Sequence, residues 1–477
     1  MQTAQHGELA NACRPAFLTE VEYFMARHRD HLVWVHLIML LLFAGVVLVP
    51  LFFPAPGEDA TPANSFPLFA NFLLWGIWFP LVLASVLLTG RSWCGLMCPM
   101  GASSEWANRI GPRWKPPAWL RWEGTPVVSF ILVTIWGQTI GVRDYADSAA
   151  IVFGSLMVAA VVIGFLYGGG ETGRRNSKRP WCRHMCPVGL LLGIFSRLGA
   201  VQFVPKQPRA GGDALTAKGI CPTFIDIPRK TESRHCIECS RCVNPNAKGG
   251  LFIQGRRPGM EVANIRDFNP NATEVWFLFL GSGTALGGFL WLVLPLYIHL
   301  RDLVGAWMID HEYYWIGSSG PMWLMSVHPE QREVFYWLDF FTISGFMLAV
   351  AMIFAALLGG TTAATAWLAG RTGGDRTFGE RFVELGYQFA PVAMASLLAG
   401  LGGELFSGAV KLGSPSWLME NLKAGLLLAG LVWSLFLAYR ILARQGVVWK
   451  RRWLPMIPGA AGSLAVVLAW WLAIFGT

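Results

Sequence analysis

Charge is scarce in this 477-residue sequence: Asp, Glu, Lys and Arg make up only 14% of it, against about 25% in soluble domains. That deficit excludes an ordinary soluble enzyme. The sequence also has no Walker phosphate loop, no Rossmann glycine fingerprint after a strand and no nucleophile elbow. An ATP-driven pump and a hydrolase therefore lack their usual chemistry. Acidic residues are the scarcer sign, 29 Asp and Glu against 38 Lys and Arg, which leaves a net charge of +9. In so hydrophobic a chain that excess points to cytoplasmic loops beside a lipid bilayer, and not to nucleic acid. What abounds is apolar. Hydrophobic residues make up 54% of the chain, and its 23 Trp suit membrane interfaces.

A membrane span needs about 20 mostly apolar residues. Nine stretches qualify, at 33–54, 66–89, 126–142, 148–168, 275–298, 335–358, 382–405, 423–445 and 455–476, of which the third is the shortest. The first follows Arg27 and Arg29 without a small-residue cleavage site, so it reads as a retained span rather than a signal peptide. The fold class expected is an all-α polytopic membrane protein. Basic loops set the orientation. With the N-terminus inside, the inner loops carry Arg91, Arg109, Arg113, Lys115 and Arg121, then Arg174, Arg175, Lys178, Arg179, Arg183 and Arg197, and later Arg371, Arg376, Arg381, Arg440, Arg444, Lys450, Arg451 and Arg452. The outer loops hold only Arg143, Arg301, Arg332 and Lys411. This places the N-terminus in the cytoplasm and the C-terminus outside, in a bacterial-type inner membrane. The expected parts are a cytoplasmic N-terminal tail (1–32), a four-helix membrane domain (33–200), a polar cytoplasmic module (201–274) and a five-helix membrane domain (275–477).

An internal repeat lies inside the second part. Residues 91–101, RSWCGLMCPMG, match residues 179–189, RPWCRHMCPVG, at an offset of 88, and Arg109 and Gly111 match Arg197 and Gly199. Two spans precede each copy, so both loops fall on one side of the membrane, as in a parallel repeat.

Eight of the nine cysteines fall into groups. Cys94 and Cys98 form one C-x3-C-P motif, and Cys182 and Cys186 the other. Cys236, Cys239 and Cys242 form a C-x2-C-x2-C run, with Cys221 upstream. All eight lie on the side read as cytoplasmic, where disulfides are disfavoured. C-x2-C-x2-C is the core of bacterial ferredoxin ligation. The usual fourth cysteine is replaced by Asn246, and Cys221 is the obvious substitute; structural zinc is the rival reading. Each C-x3-C-P copy offers two thiolates and a cubane needs four. One cluster on Cys94, Cys98, Cys182 and Cys186 therefore fits, while mixed ligation between the modules stays open. Cys13 has no partner in sequence and reads as a free thiol.

These residues resemble the membrane-bound polyferredoxins of the NapH, NosR and CcoG type over about residues 30–260. The resemblance rests on Cys94, Cys98, Pro99, Gly101, Cys182, Cys186, Pro187, Gly189 and the 236–242 run. It implies two [4Fe–4S] clusters at the cytoplasmic face. It also implies electron transfer between a cytoplasmic or quinol donor and a membrane or periplasmic redox partner protein. The sequence departs from that pattern in lacking a second ferredoxin motif and in carrying five C-terminal spans without a counterpart.

Other polar residues have two readings each. His299, His311 and His328 lie between the fifth and sixth spans and form a candidate quinol, haem or metal site; the plainer reading is a wet, aromatic-rich loop. His31 and His36 sit at the inner end of the first span. Asp339, Glu384 and Glu404 are intramembrane carboxylates suited to proton handling, or simply shallow enough to reach the interface. Trp93 and Trp181 flank the first Cys of each loop and read as interface anchors or cluster shields. The competing functions are an electron-transfer protein, a quinol-oxidising subunit, and a transporter or assembly factor whose clusters are structural.

Overall fold

The computed structural model describes residues 16–57, 59–169, 176–206, 214–216 and 218–476; Cys13, Arg174 and Arg175 lie outside them. The chain is a mostly helical multi-pass membrane protein. Among the described residues, eight helical stretches are long and apolar enough to cross a bilayer: Ala16–Phe52, Phe66–Thr89, Ala146–Leu166, Ala272–Val293, Trp337–Arg371, Phe378–Leu401, Ser416–Arg444 and Trp453–Phe475. Helix is the form such segments take in lipid, because it satisfies every backbone group within the segment. The expected span 126–142 is the helix Thr125–Ile140. Its 16 residues reach about 24 Å, short of a hydrocarbon core of about 30 Å. The expected span 275–298 ends early, because Pro295 opens a separate helix, Pro295–Asp310.

The contacts divide the chain into two compact units. The first gathers Met1–Gly45, Val82–Pro126 and Ser155–Asn269, and it holds all eight grouped cysteines. In it, Val201–Pro205 pairs antiparallel with Leu251–Gly255, from Val201 opposite Gly255 to Pro205 opposite Leu251. This ribbon closes off the segment carrying Cys221 to Cys242. Its small core contains Phe203, Ile227, Val243, Leu251 and Ile253 together with Cys221 and Cys236. The stretch expected as a plain tail contains the helix Ala16–His28. Leu18, Val21 and Met25 from that helix pack on the same core, and the buried Glu22 carboxylate accepts the amide of Ile253.

The second unit gathers Val46–Leu81, Val127–Gly154 and Pro270–Thr477. Small residues let its helices approach: a Cβ on Gly283 or Gly287 would meet the backbone of Ala351 or Met347 at 2.7 and 3.0 Å. This is the small-residue packing of membrane helices.

Candidate iron–sulfur centres

The two C-x3-C-P loops are built alike, for reasons the motif itself supplies. Cys94 lies in the short helix Ser92–Leu96, and Cys182 in Pro180–His184. The Trp93 carbonyl then accepts the amides of both Met97 and Cys98, and the Trp181 carbonyl those of Met185 and Cys186. Each second cysteine is thereby set at the N-cap of the next helix, Pro99–Ile110 or Pro187–Ser196. The following Pro occupies the first helical position, where no amide is needed and the fixed φ suits the helix. The third helical position is Gly101 or Gly189. Its amide favours the thiolate of Cys98 or Cys186 without forming a cap hydrogen bond. A Cβ on Gly101 would meet the Cys182 sulfur at 3.2 Å, and one on Gly189 would meet the Cys186 Cβ at 3.1 Å. The spacing C-P-x-G thus clears room around sulfur in both copies.

The thiols form two quartets. Cys182 lies within electrostatic reach of Cys94, Cys98 and Cys186, and Cys186 of Cys94 and Cys98. Cys242 lies within reach of Cys221, Cys236 and Cys239. All eight are free thiols. Burial pushes Cys98 up to about 11 and Cys186 and Cys236 up to about 12, each further raised by a neighbouring thiolate or carboxylate. Such thiols stay protonated unless a cation takes the proton's place, which is the condition under which thiolates bind metal. Among the described residues, no three His, Cys, Asp or Glu side chains stand close enough to hold one ion. A single zinc requires four sulfurs around one point. A cubane has four irons and takes one thiolate at each.

The Cys236–Cys242 run gains its shape from strained backbone. Glu238 and Ser240 adopt positive φ, 53° and 59°, which non-glycine residues seldom do and which clusters at functional sites. These reversals bring three cysteines of a seven-residue stretch to the cavity that Cys221 also lines.

Arginines fill the space around the quartets. Buried Arg179 donates from Nε to Glu105 at 2.7 Å and from Nη1 to the Cys94 carbonyl at 2.8 Å, and its charge reaches Cys182 in one quartet and Cys239 in the other. Arg241 also binds Glu105. Burial alone would raise the Glu105 carboxyl, but Arg179 and Arg241 outweigh it and hold it well below the usual carboxylate range. Arg91 directs Nη2 toward the Cys94 sulfur at 3.9 Å, while its buried Nε has no partner. Lys178 donates to the carbonyls of Gly219 and Cys221 at 2.7 and 2.9 Å. Such donors offset the negative charge of a thiolate-ligated cluster. Trp181 is buried with Leu120, Ala160 and Ile163 beside Cys182 and Cys186, the position of a shield.

The three histidines of the candidate outer site do not come together. His299 is exposed. His311 turns Nδ1 to the Trp307 carbonyl one turn back and stacks on that indole. His328 is buried, bonded to Ser326 and Asp147 at 3.0 Å and stacked on Tyr145 at 3.7 Å. His311 and His328 thus have separate partners, and His299 points to the surface by itself. Asp339 caps the helix Trp337–Arg371 and pairs with Arg301 at 2.6 Å, and Glu384 accepts from Gln445 at 2.8 Å. Both have structural partners. Sequence reading missed Glu105, Arg241 and Glu261. Their signal, a carboxylate placed to neutralise distant arginines, exists only once the chain is folded.

Comparison with known proteins agrees with this geometry. The 4Fe-4S binding domain family matches residues 71–117 and 176–204, the segments holding the two C-x3-C-P loops. An uncharacterised protein of Methanocaldococcus jannaschii is 27% identical over 180 residues, covering 36% of this chain and 68% of that protein. The regulatory protein NosR of Pseudomonas aeruginosa is 22% identical over 212 residues, 39% of this chain and 28% of NosR. The ferredoxin-type protein NapH of Escherichia coli is 29% identical over 73 residues, 13% of this chain and 25% of NapH. The chain thus spans about two thirds of the archaeal protein and under a third of the other two. No solved structure matches it.

Proposed function

We propose that this 4Fe-4S membrane protein of the NapH and NosR type passes electrons through two [4Fe–4S] clusters on the cytoplasmic side of an inner membrane. One cluster is held by Cys94, Cys98, Cys182 and Cys186, the other by Cys221, Cys236, Cys239 and Cys242. The observation that carries the reading is the sorting of eight free, at least half-buried thiols into two groups of four, with Arg179 in reach of both. A bound [4Fe–4S] cluster supplies reversible one-electron chemistry. The protein's part is to hold the ligands, to keep water away through Trp181 and the small core, and to place fixed positive charge near both quartets. The partner at the far end is a membrane or periplasmic redox protein. Anaerobic purification followed by an EPR-monitored redox titration tests this. Two cubane signals reducible by physiological donors are expected; clusters that no such donor reduces would leave only a structural role.

A second reading is oxidation of a membrane hydroquinone. It is favoured by a cleft of about 420 Å³ lined by Leu32, Val33, His36, Trp106, Glu105 and Cys239. Leu32, Val33 and Trp106 form one apolar side of this otherwise polar, arginine-rich cleft, beside a buried imidazole that contacts the Gly95 carbonyl at 3.2 Å. Cluster reduction by a short-chain hydroquinone, abolished in His36→Leu, is the outcome that reading requires.

A further inference from the structure

The two copies of the repeat treat one position differently. In the first copy it is Gly95, and a Cβ there would lie 2.1 Å from the Ile237 carbonyl and 2.7 Å from the Cys239 amide. The first loop is therefore pressed, backbone to backbone, against the run carrying the second quartet. In the second copy the same position, 88 residues on, is Arg183. Arg183 there lines a pocket of about 80 Å³ whose wall includes Cys182 and Cys186, and the ferredoxin-like module reaches that pocket only through Arg234 and His235. One face of the repeat is thus occupied by the chain's own ferredoxin-like module. At the equivalent place in the second copy a pocket remains, with Cys182 and Cys186 at its wall.

The pocket is cationic. Arg91 and Arg234 line it from within and are buried, while Arg121 and Arg183, beside His184, carry the charge that a partner can reach. The one carboxylate among the lining residues is Glu123, half-exposed and 3.7 Å from Arg234. The quartet accounts for part of this charge, through Arg91. Arg121 is exposed on the rim, where it faces whatever arrives from outside.

We propose that this pocket is the docking site of a carboxylate-rich, soluble one-electron carrier protein. The proposal rests on the electron-transfer reading above. One electron would pass between the carrier and a cluster held by the quartet; no proton or group moves. An anionic lipid headgroup would also meet the arginines, but it would insulate the cysteines that line the wall, so the carrier is the better occupant. Charge steers such encounters and makes them sensitive to salt.

The test uses anaerobically purified holoprotein in neutral detergent and an acidic plant-type ferredoxin as probe. Binding of the oxidised probe should weaken about tenfold or more between low and high ionic strength. Arg121→Glu should weaken low-salt binding about tenfold, and Glu123→Gln should tighten it a few-fold. Cluster reduction by dithionite-reduced methyl viologen, a small cation, should be the same in all three proteins. Equal binding by the two variants and the parent protein overturns the proposal. So does a case in which phosphatidylglycerol acts on the parent protein but not on Arg121→Glu while ferredoxin binding is unchanged; the pocket is then a lipid site. Failure of methyl viologen to reduce any cluster would instead remove the electron-transfer reading itself.

Discussion

Arg179 and Glu105 form an ion pair 2.7 Å long in which the side chains are 1% and 3% exposed. The pair joins the start of the second cysteine loop to the helix that follows the first. An ion pair so buried is costly to break from one side, because the surviving charge loses its partner without regaining water. Arg179→Leu is therefore expected to destabilise the iron-binding unit by about 3–5 kcal/mol. Arg179→Lys should not restore it, since one ammonium does not reproduce the planar fork that reaches both Glu105 and the Cys94 carbonyl. Thermal unfolding and iron content of the two variants check this. Full iron retention in Arg179→Lys would contradict it.

Gly95 carries the second prediction. Its missing Cβ is what lets the first loop meet the backbone near Cys239. Gly95→Ala should cost roughly 1–3 kcal/mol as an overpacked contact and loosen the 201–269 segment, read as faster limited proteolysis there. Arg183→Ala, at the equivalent place in the other copy, should leave proteolysis unchanged.

The repeat was legible in the sequence because the N-cap Cys, the Pro at the first helical position and the Gly at the third are local requirements. The four thiols of those loops were legible for the same reason, and Cys236, Cys239 and Cys242 by their own even spacing. What the sequence left open was pairing: two C-x3-C-P motifs allow a shared or a mixed set, and only folding brings Cys182 within reach of Cys94 and Cys98. The first span extends back into a helix docked through Glu22, because three apolar residues on one face at 18, 21 and 25 find a partner in a ribbon far along the chain. His299, His311 and His328 looked like a site because they are close in sequence. In the fold His311 and His328 take separate partners and His299 is exposed.

Acid sensitivity follows from Glu261, which is fully buried between Arg197 at 2.8 Å and Arg256. Burial alone would raise its carboxyl, yet the two guanidiniums hold it below the ordinary value. A carboxylate with a depressed folded-state pKa contributes stability that is complete above its unfolded value and is lost as pH falls through the folded one. The parent protein should therefore lose stability as pH drops below about 4.3. Glu261→Gln should be less stable at pH 7 and show a flatter acid dependence over that range. Equal pH slopes in thermal unfolding of the two proteins would contradict this.

Topology gives a fourth outcome. On the reading of the basic loops, residues 201–274 are expected inside and the C-terminus outside when the short helix Thr125–Ile140 crosses the bilayer. A reporter active only in the periplasm should work when fused after the last helix and fail when inserted at Lys230. If Thr125–Ile140 does not cross, both signals change in a defined way, because every later segment exchanges sides.

The most direct measurement of the central claim is the EPR signal of cysteine variants purified without oxygen. The parent protein should hold about eight irons per chain, as two cubanes. Cys94→Ser and Cys182→Ser should each remove the same signal, the double variant should be little worse than either, and Cys236→Ser should remove the other signal alone. If Cys94→Ser removes one signal and Cys182→Ser the other, or if the protein carries about one zinc and no iron, the two-quartet account is wrong.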